Sequence, residues 1–226
     1  MPETNRLFDG WPEKYDRWFA TPNGSLVKEY ESGLVSDLLR PDRGELILDA
    51  GCGTGIFTLD ILASGPRIIG LDISLPMLHR AREKARDYPF QPVLGDISTL
   101  PFLDESFNKV VSITALEFIQ DAREAVAELF RVTKKGGAIV VATLNSLSPW
   151  AAQRTEEAKK GHPIFSKTTF RSPEQLLALG PVEGIVKTAV HFDKEDSLEK
   201  AIETELECQA QRWDKGAFVA IRWVKP

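Results

Sequence analysis

Along this chain short apolar runs alternate with stretches in which apolar residues recur every three or four positions, the pattern of buried strands interleaved with amphipathic helices. The first helical face carries Leu26, Val27, Tyr30, Leu34, Val35, Leu38 and Leu39 and stops before Pro41. Runs at 46–48, 67–72, 91–94, 110–113 and 138–142 predict five strands. Between them one helix starts at Ile56, runs to Ala63 and stops at Ser64-Gly65-Pro66; a second carries Met77, Leu78, Ala81 and Ala85 behind a Ser74 cap. A third carries Ala122, Ala125, Val126, Leu129 and Phe130, with Lys134 and Lys135 suiting its negative end and Gly136-Gly137 stopping it. Residues 145–180 are less regular: the charged run 154–160 predicts an exposed helix, 162–165 a loop, and Ser172-Pro173-Glu174-Gln175 a capped helix start. Segments 184–192, 198–212 and 217–224 read as strand, helix, strand. Residues 1–25, rich in turn formers and aromatics, cannot form a core alone, so they pack on the main domain or cover a site.

Composition narrows this α/β reading. A chain of 226 residues suits one decorated domain and can bury a sizeable core. The net charge is −5, with no long Lys/Arg block, which disfavours nucleic acid as partner. No apolar run is long enough for a spanning helix, and the first residues lack a signal-peptide pattern, so a soluble cytoplasmic protein is expected. Two cysteines, Cys52 and Cys208, make neither a disulfide framework nor a zinc site. Cys52 reads as a small residue filling a cramped turn.

The chemistry gathers at Leu48-Asp49-Ala50-Gly51-Cys52-Gly53-Thr54-Gly55, a strand passing into a helix through three alternating glycines. Glycine lacks the Cβ that would keep a ligand from the backbone, so a ligand should lie there. The dinucleotide fingerprint would need another glycine where Ile56 stands. With the acid Asp49 two residues before the first glycine, the segment instead closely resembles motif I of the class I S-adenosylmethionine-dependent methyltransferases. Asp49, Gly51, Cys52, Gly53, Thr54 and Gly55 are its expected cofactor contacts. Asp72 ends the second strand where doubly wound folds place the carboxylate that accepts from a ribose diol, with Ile73 beside it.

The resemblance implies more. It puts Met77 beside the adenine, although periodicity alone reads Met77 as core. It gives Asp96 the adenine amino group and the Ile97 backbone a ring nitrogen. The segment Thr114-Ala115-Leu116-Glu117-Phe118 matches the stretch beside the methionine portion, with Thr114 and Leu116 towards the cofactor and Glu117 and Phe118 towards the acceptor. Tyr15-Asp16-Arg17-Trp18 looks like the N-terminal lid sequence of many small-molecule members, which makes Tyr15 a cofactor contact and Trp18 an acceptor-side residue; both could equally just bury aromatic area. Asn108 stands where an aspartate is usual. The resemblance is closest to the broad group that includes the quinone-biosynthesis C-methyltransferases, covers residues 15–144 well, and implies a seven-stranded, mostly parallel, Rossmann-like doubly wound sheet with an antiparallel last strand and helices on both faces.

The expected layout is a single domain, 1–226: an N-terminal lid and helix (1–40), a cofactor-binding core (41–144), an acceptor-side insertion (145–180) and a C-terminal strand-helix-strand (181–226). The expected activity is metal-free, in-line methyl transfer from S-adenosyl-L-methionine to a small-molecule acceptor, because a sulfonium is already an activated leaving group and placement alone can supply about 7–11 kcal/mol. His79, His162, His191, Tyr15 and Glu117 are nominal general bases and none is assigned; His162, in the insertion, is the best placed histidine and an acceptor-side candidate. A non-catalytic cofactor-binding module and a nicotinamide-dependent oxidoreductase on a similar sheet are the alternatives. Acceptor identity and oligomeric state are not legible.

Overall fold

The computed structural model describes residues 7–211 and 213–226. The first six residues, read above as lacking a signal-peptide pattern, and Arg212 at the end of the last predicted helix lie outside the described residues.

Seven strands, β1 (Leu46–Ala50), β2 (Arg67–Asp72), β3 (Phe90–Leu94), β4 (Phe107–Ile113), β5 (Thr133–Leu144), β6 (Ile185–Ala189) and β7 (Phe218–Val224), form one sheet in the order β3-β2-β1-β4-β5-β7-β6. Strand β7 runs antiparallel to both of its neighbours and the remaining pairs are parallel. Successive residues face opposite sides of the sheet. Ile47, Val111, Val140 and Phe218 enter one core with α2 (Pro22–Leu39) and α3 (Thr58–Leu62). Leu48, Val110, Ile139 and Val219 enter the other with α5 (Ala122–Val132) and α7 (Pro173–Leu177). Central strands buried on both faces explain why their sequence reads as continuous apolar runs. Asn108 does structural work: its side-chain oxygen accepts from the Leu46 amide at 2.9 Å, tying β4 to the start of β1.

Several boundaries differ from the pattern-based expectation. The segment 1–25 contains a helix, α1 (Pro12–Phe19), and α2 begins at Pro22 rather than Leu26, because a proline in the first turn presets φ and the Thr21 side chain accepts from the Gly24 amide at 3.1 Å. Lys134, Lys135, Gly136 and Gly137 do not end α5. They belong to β5, where Thr133 pairs with Phe107 and the Gly136 amide donates to the Lys225 carbonyl. Ser74 sits at the N-cap of α4 (Leu75–Lys84), but its hydroxyl donates to Asp9 at 2.8 Å instead of capping the helix. The charged stretch predicted as an exposed helix lies in α6 (Pro149–Lys159), and Arg154 within it is only 8% exposed. Strand β6 stops at Ala189, and Val190 takes the left-handed region at φ +64, costly for a β-branched residue. The buried Glu205 of α8 (Leu198–Gln211) holds that corner, accepting from the amides of Val190 at 3.1 Å and His191 at 2.6 Å.

Candidate functional site

The strand order turns back between β1 and β4, and ligands of open α/β sheets collect beyond the carboxyl ends of strands at such a point. The glycine loop leaves β1 there, and its three glycines have different neighbours. A Cβ on Gly51 would stand 2.4 Å from the Ala115 Cβ, and one on Gly55 would press on the Ala81 backbone at 3.2 Å, so both serve close packing. Gly53, at φ +52, faces open space.

The loop's amides are largely spent on the protein itself. Those of Gly51 and Cys52 donate to the Leu71 carbonyl at 2.7 and 3.0 Å, and that of Gly55 to the Cys52 carbonyl at 2.9 Å. The Gly53 amide donates to Asp72 Oδ2 at 2.8 Å, and the Ser74 amide to Oδ1 at 2.9 Å. Each Asp72 oxygen therefore keeps a lone pair for a further donor. Asp49, at the end of β1, accepts from the Thr58 hydroxyl at 2.6 Å. Burial pushes its carboxyl up to about 7, the Thr58 bond opposes that, and the neighbouring Asp72 adds to it. Asp72 is raised by burial too, against the pull of the Ser74, Gly53 and Ile73 amides. Past β3, Asp96 accepts from the Ser98 amide at 2.8 Å, and the buried Ile97 points its Cδ1 towards Gly51. Cys52 is buried, and desolvation raises its thiol, which fits a space-filling residue.

Across this edge lies the N-terminal segment. Asp16 of α1 accepts from Thr54 Oγ1 at 2.7 Å in the glycine loop, and from Arg80 Nε at 2.9 Å and Lys84 Nζ at 2.5 Å on α4. Burial raises the Asp16 carboxyl, but its bonds from Lys84, Thr54 and Arg80 outweigh that and leave it below the ordinary aspartate range. Phe8 meets Phe118 edge-on with ring centres 4.8 Å apart, and the Trp11 ring lies 6.3 Å from that of His162. Tyr15 places its phenol by Thr114, a non-glycine residue at φ +47 just beyond β4; burial raises its pKa strongly. Trp18 is turned outward, 40% exposed, and Phe19 takes the inward position.

Most of the predicted residues converge on this edge: Asp49, the loop 51–55, Asp72, Ile73, Asp96, Ile97, Thr114, Phe118 and Tyr15. Met77 and Leu116 are also near it but are themselves buried in the packing, at 4% and 1% exposure. Trp18 stands apart. His162 is half-buried and stacked on Phe165 at 4.4 Å, with Nδ1 accepting from the Ile164 and Phe165 amides, which commits that nitrogen to its own loop. Glu117 is fully buried. Its Oε1 accepts from the Leu144 amide at 2.7 Å, while Oε2 has no partner among the described residues. Sequence reasoning missed Glu31 and Arg154, which come from α2 and α6 to lie near Glu117. The spacing of Trp150 and Arg154, one helical turn apart, was the available signal that Arg154 points inward.

A family model described as a methyltransferase domain matches residues 48–141. The demethylmenaquinone methyltransferase of Renibacterium salmoninarum is 29% identical over 179 residues, covering 78% of this chain and 74% of that protein. The malonyl-[acyl-carrier protein] O-methyltransferase of Salmonella typhimurium is 32% identical over 196 residues, covering 76% of each. Among solved structures, an S-adenosylmethionine-dependent methyltransferase of Thermotoga maritima superposes with a TM-score of 0.78 at 25% identity, covering 99% of this chain and 100% of that one.

Proposed function

The chain belongs to the class I S-adenosylmethionine-dependent methyltransferases, and from that premise we propose that its glycine-loop edge holds the cofactor while the space under α1 holds a small-molecule acceptor. The observation that carries the site assignment is the pairing of a self-satisfied glycine loop with strand-end carboxylates. A pyrophosphate needs free backbone N–H donors and positive charge. Here Gly51, Cys52, Gly53 and Gly55 have spent their amides, and the carboxylates of Asp49 and Asp72 stand at the ends of β1 and β2. That donor set instead suits a hydroxyl-rich cation: Asp72 accepts the ribose diol, Asp49 offsets the positive charge of the methionine portion, and Gly53 leaves room for it. Asp96 and Ile97 flank the adenine position, with Met77 packed behind it.

When bound, S-adenosylmethionine supplies a methyl group on an activated sulfonium. The chain's part is placement and exclusion of water. Asp16 latches α1 to the glycine loop and α4, Tyr15 closes over Thr114, and Phe8 covers Phe118. The same reading makes the chain one methyltransferase domain of the cytoplasm, acting on a small organic compound rather than nucleic acid; the net charge of −5 supports this. Among the described residues no helix is long and apolar enough to cross a membrane.

Calorimetric titration with S-adenosylmethionine, S-adenosylhomocysteine and NAD tests the reading. Binding of the first two, and methyl transfer from labelled cofactor to an acceptor pool, is expected. Binding of NAD alone would overturn it, and cofactor binding with no transfer to any acceptor would leave a non-catalytic module.

A further inference from the structure

Near Tyr15 of α1, three charged side chains from distant parts of the chain share one buried place. Glu31 is 6% exposed, Glu117 1% and Arg154 8%. Arg154 lies over the Trp150 ring at 5.2 Å and near the Phe165 ring at 6.0 Å, so its planar group is held between aromatic faces. Among the described residues its Nη1 has no hydrogen-bond partner, and neither has Glu117 Oε2. Such groups are costly to bury unmet, because a desolvated charged donor loses its water without recovering a bond. The neighbouring Arg171 is different: its Nη1 donates to the Leu116 carbonyl at 3.0 Å, which anchors the acceptor-side turn. Glu117 is likewise part-committed through Leu144. Among the described residues Arg154 thus keeps an unmet Nη1, with Lys194 Nζ also over the Trp150 ring at 5.3 Å.

We propose that Arg154 is the acid-binding residue of the acceptor site, so that the acceptor carries a carboxylate. This rests on the methyltransferase reading of the same edge. The guanidinium fork matches a carboxylate in two parallel hydrogen bonds, and a protonated Glu117 Oε2 can donate a third. A phosphate would bring up to two charges to one unpaired guanidinium that already feels Glu31, Glu117 and Glu157, and fits worse. Trp150 and Phe165 at Arg154, and Phe118 next to Glu117 with Phe8 edge-on to it, suit an apolar or aromatic body on that acid. Burial raises both Glu31 and Glu117, with Arg154 opposing, which lets an incoming anion enter without two fixed negative charges beside it.

The test uses the full chain. S-adenosylhomocysteine is titrated first, then phenylacetate, hexanoate and decanoate, with their primary amides and amines, into the saturated protein. Acids should bind in preference to amides and amines. Arg154→Met should weaken acid binding by about 10- to 100-fold and leave S-adenosylhomocysteine affinity unchanged, and Arg154→Lys should recover part of the loss. Amines or amides that bind as well as the acids, phenyl phosphate that binds better, acids that do not bind, or acid affinity indifferent to both variants would each overturn the proposal. Retained S-adenosylhomocysteine binding shows that a variant has folded, and Arg154→Lys carries the comparison if Arg154→Met does not fold. Failure of S-adenosylhomocysteine to bind the unaltered protein instead overturns the methyltransferase reading itself.

Discussion

Replacing Asp72 tests the centre of the site. Its carboxylate already accepts from the Gly53 amide at 2.8 Å and the Ser74 amide at 2.9 Å, so it fastens the glycine loop to the end of β2 and still offers one lone pair on each oxygen. A ribose diol would fill both with charge-assisted bonds, about 1.5–3 kcal/mol each. Asp72→Ala should therefore cost about 3–6 kcal/mol of cofactor affinity, or about 100- to 10,000-fold in Kd. Asp72→Asn is the sharper probe. An amide has one accepting oxygen and one donating nitrogen, so it can serve only one of the two backbone amides and turns a donor towards the other. The asparagine variant should thus lose affinity despite its matched shape. Calorimetry with S-adenosylhomocysteine measures both, and circular dichroism and thermal melting confirm folding. A folded Asp72→Ala protein that binds within about threefold of the unaltered chain would refute the ribose assignment.

Two further outcomes follow from the geometry. Burial pushes Glu31 up to about 8 from an ordinary 4.5, with Arg154 lowering it and Glu117 raising it, so the folded protein holds this proton more tightly than the unfolded chain does. Stability should then be full below about 4.5 and fall as pH rises towards 8, by at most about 1.4 kcal/mol per pH unit; Glu31→Gln should flatten the melting temperature across that window, and an unchanged slope would contradict it. In the glycine loop, Gly51→Ala meets Ala115 at 2.4 Å and should lower the melting temperature, whereas Gly53→Val points into open space and should chiefly cost cofactor affinity beyond the roughly 1–2 kcal/mol of its left-handed backbone. Equal effects of the two on binding and melting would refute the division of labour between these glycines.

The sequence by itself determined whatever is set by neighbours along the chain. Short continuous apolar runs and period-3.6 apolar patterns specified strands and helices within a few residues, because the surfaces they create must be buried. Gly51, Gly53 and Gly55 after a strand, and acids at 49, 72 and 96 at strand ends, pointed to one edge of the sheet, the cofactor edge of the proposal, because a parallel sheet brings those ends to one side. Boundaries failed where a local signal had two readings. Gly136-Gly137 reads as a helix stop, yet the backbone continues into β5 because Thr133 finds Phe107 across the sheet.

Only the tertiary structure decided which charges leave water. The run 154–160 has the composition of a solvated face, and most of it is solvated, but Arg154 is buried because Trp150 and Phe165 come together around it. Asp16 is one acid among many until α1 crosses the sheet edge to reach Thr54, Arg80 and Lys84. Glu31, Glu117 and Arg154 likewise share no local pattern. Their desolvation is the sum of contacts from α2, the turn after β4 and α6, elements that meet only when the sheet has closed its order, and so the proposed acceptor side was written in packing rather than in spacing.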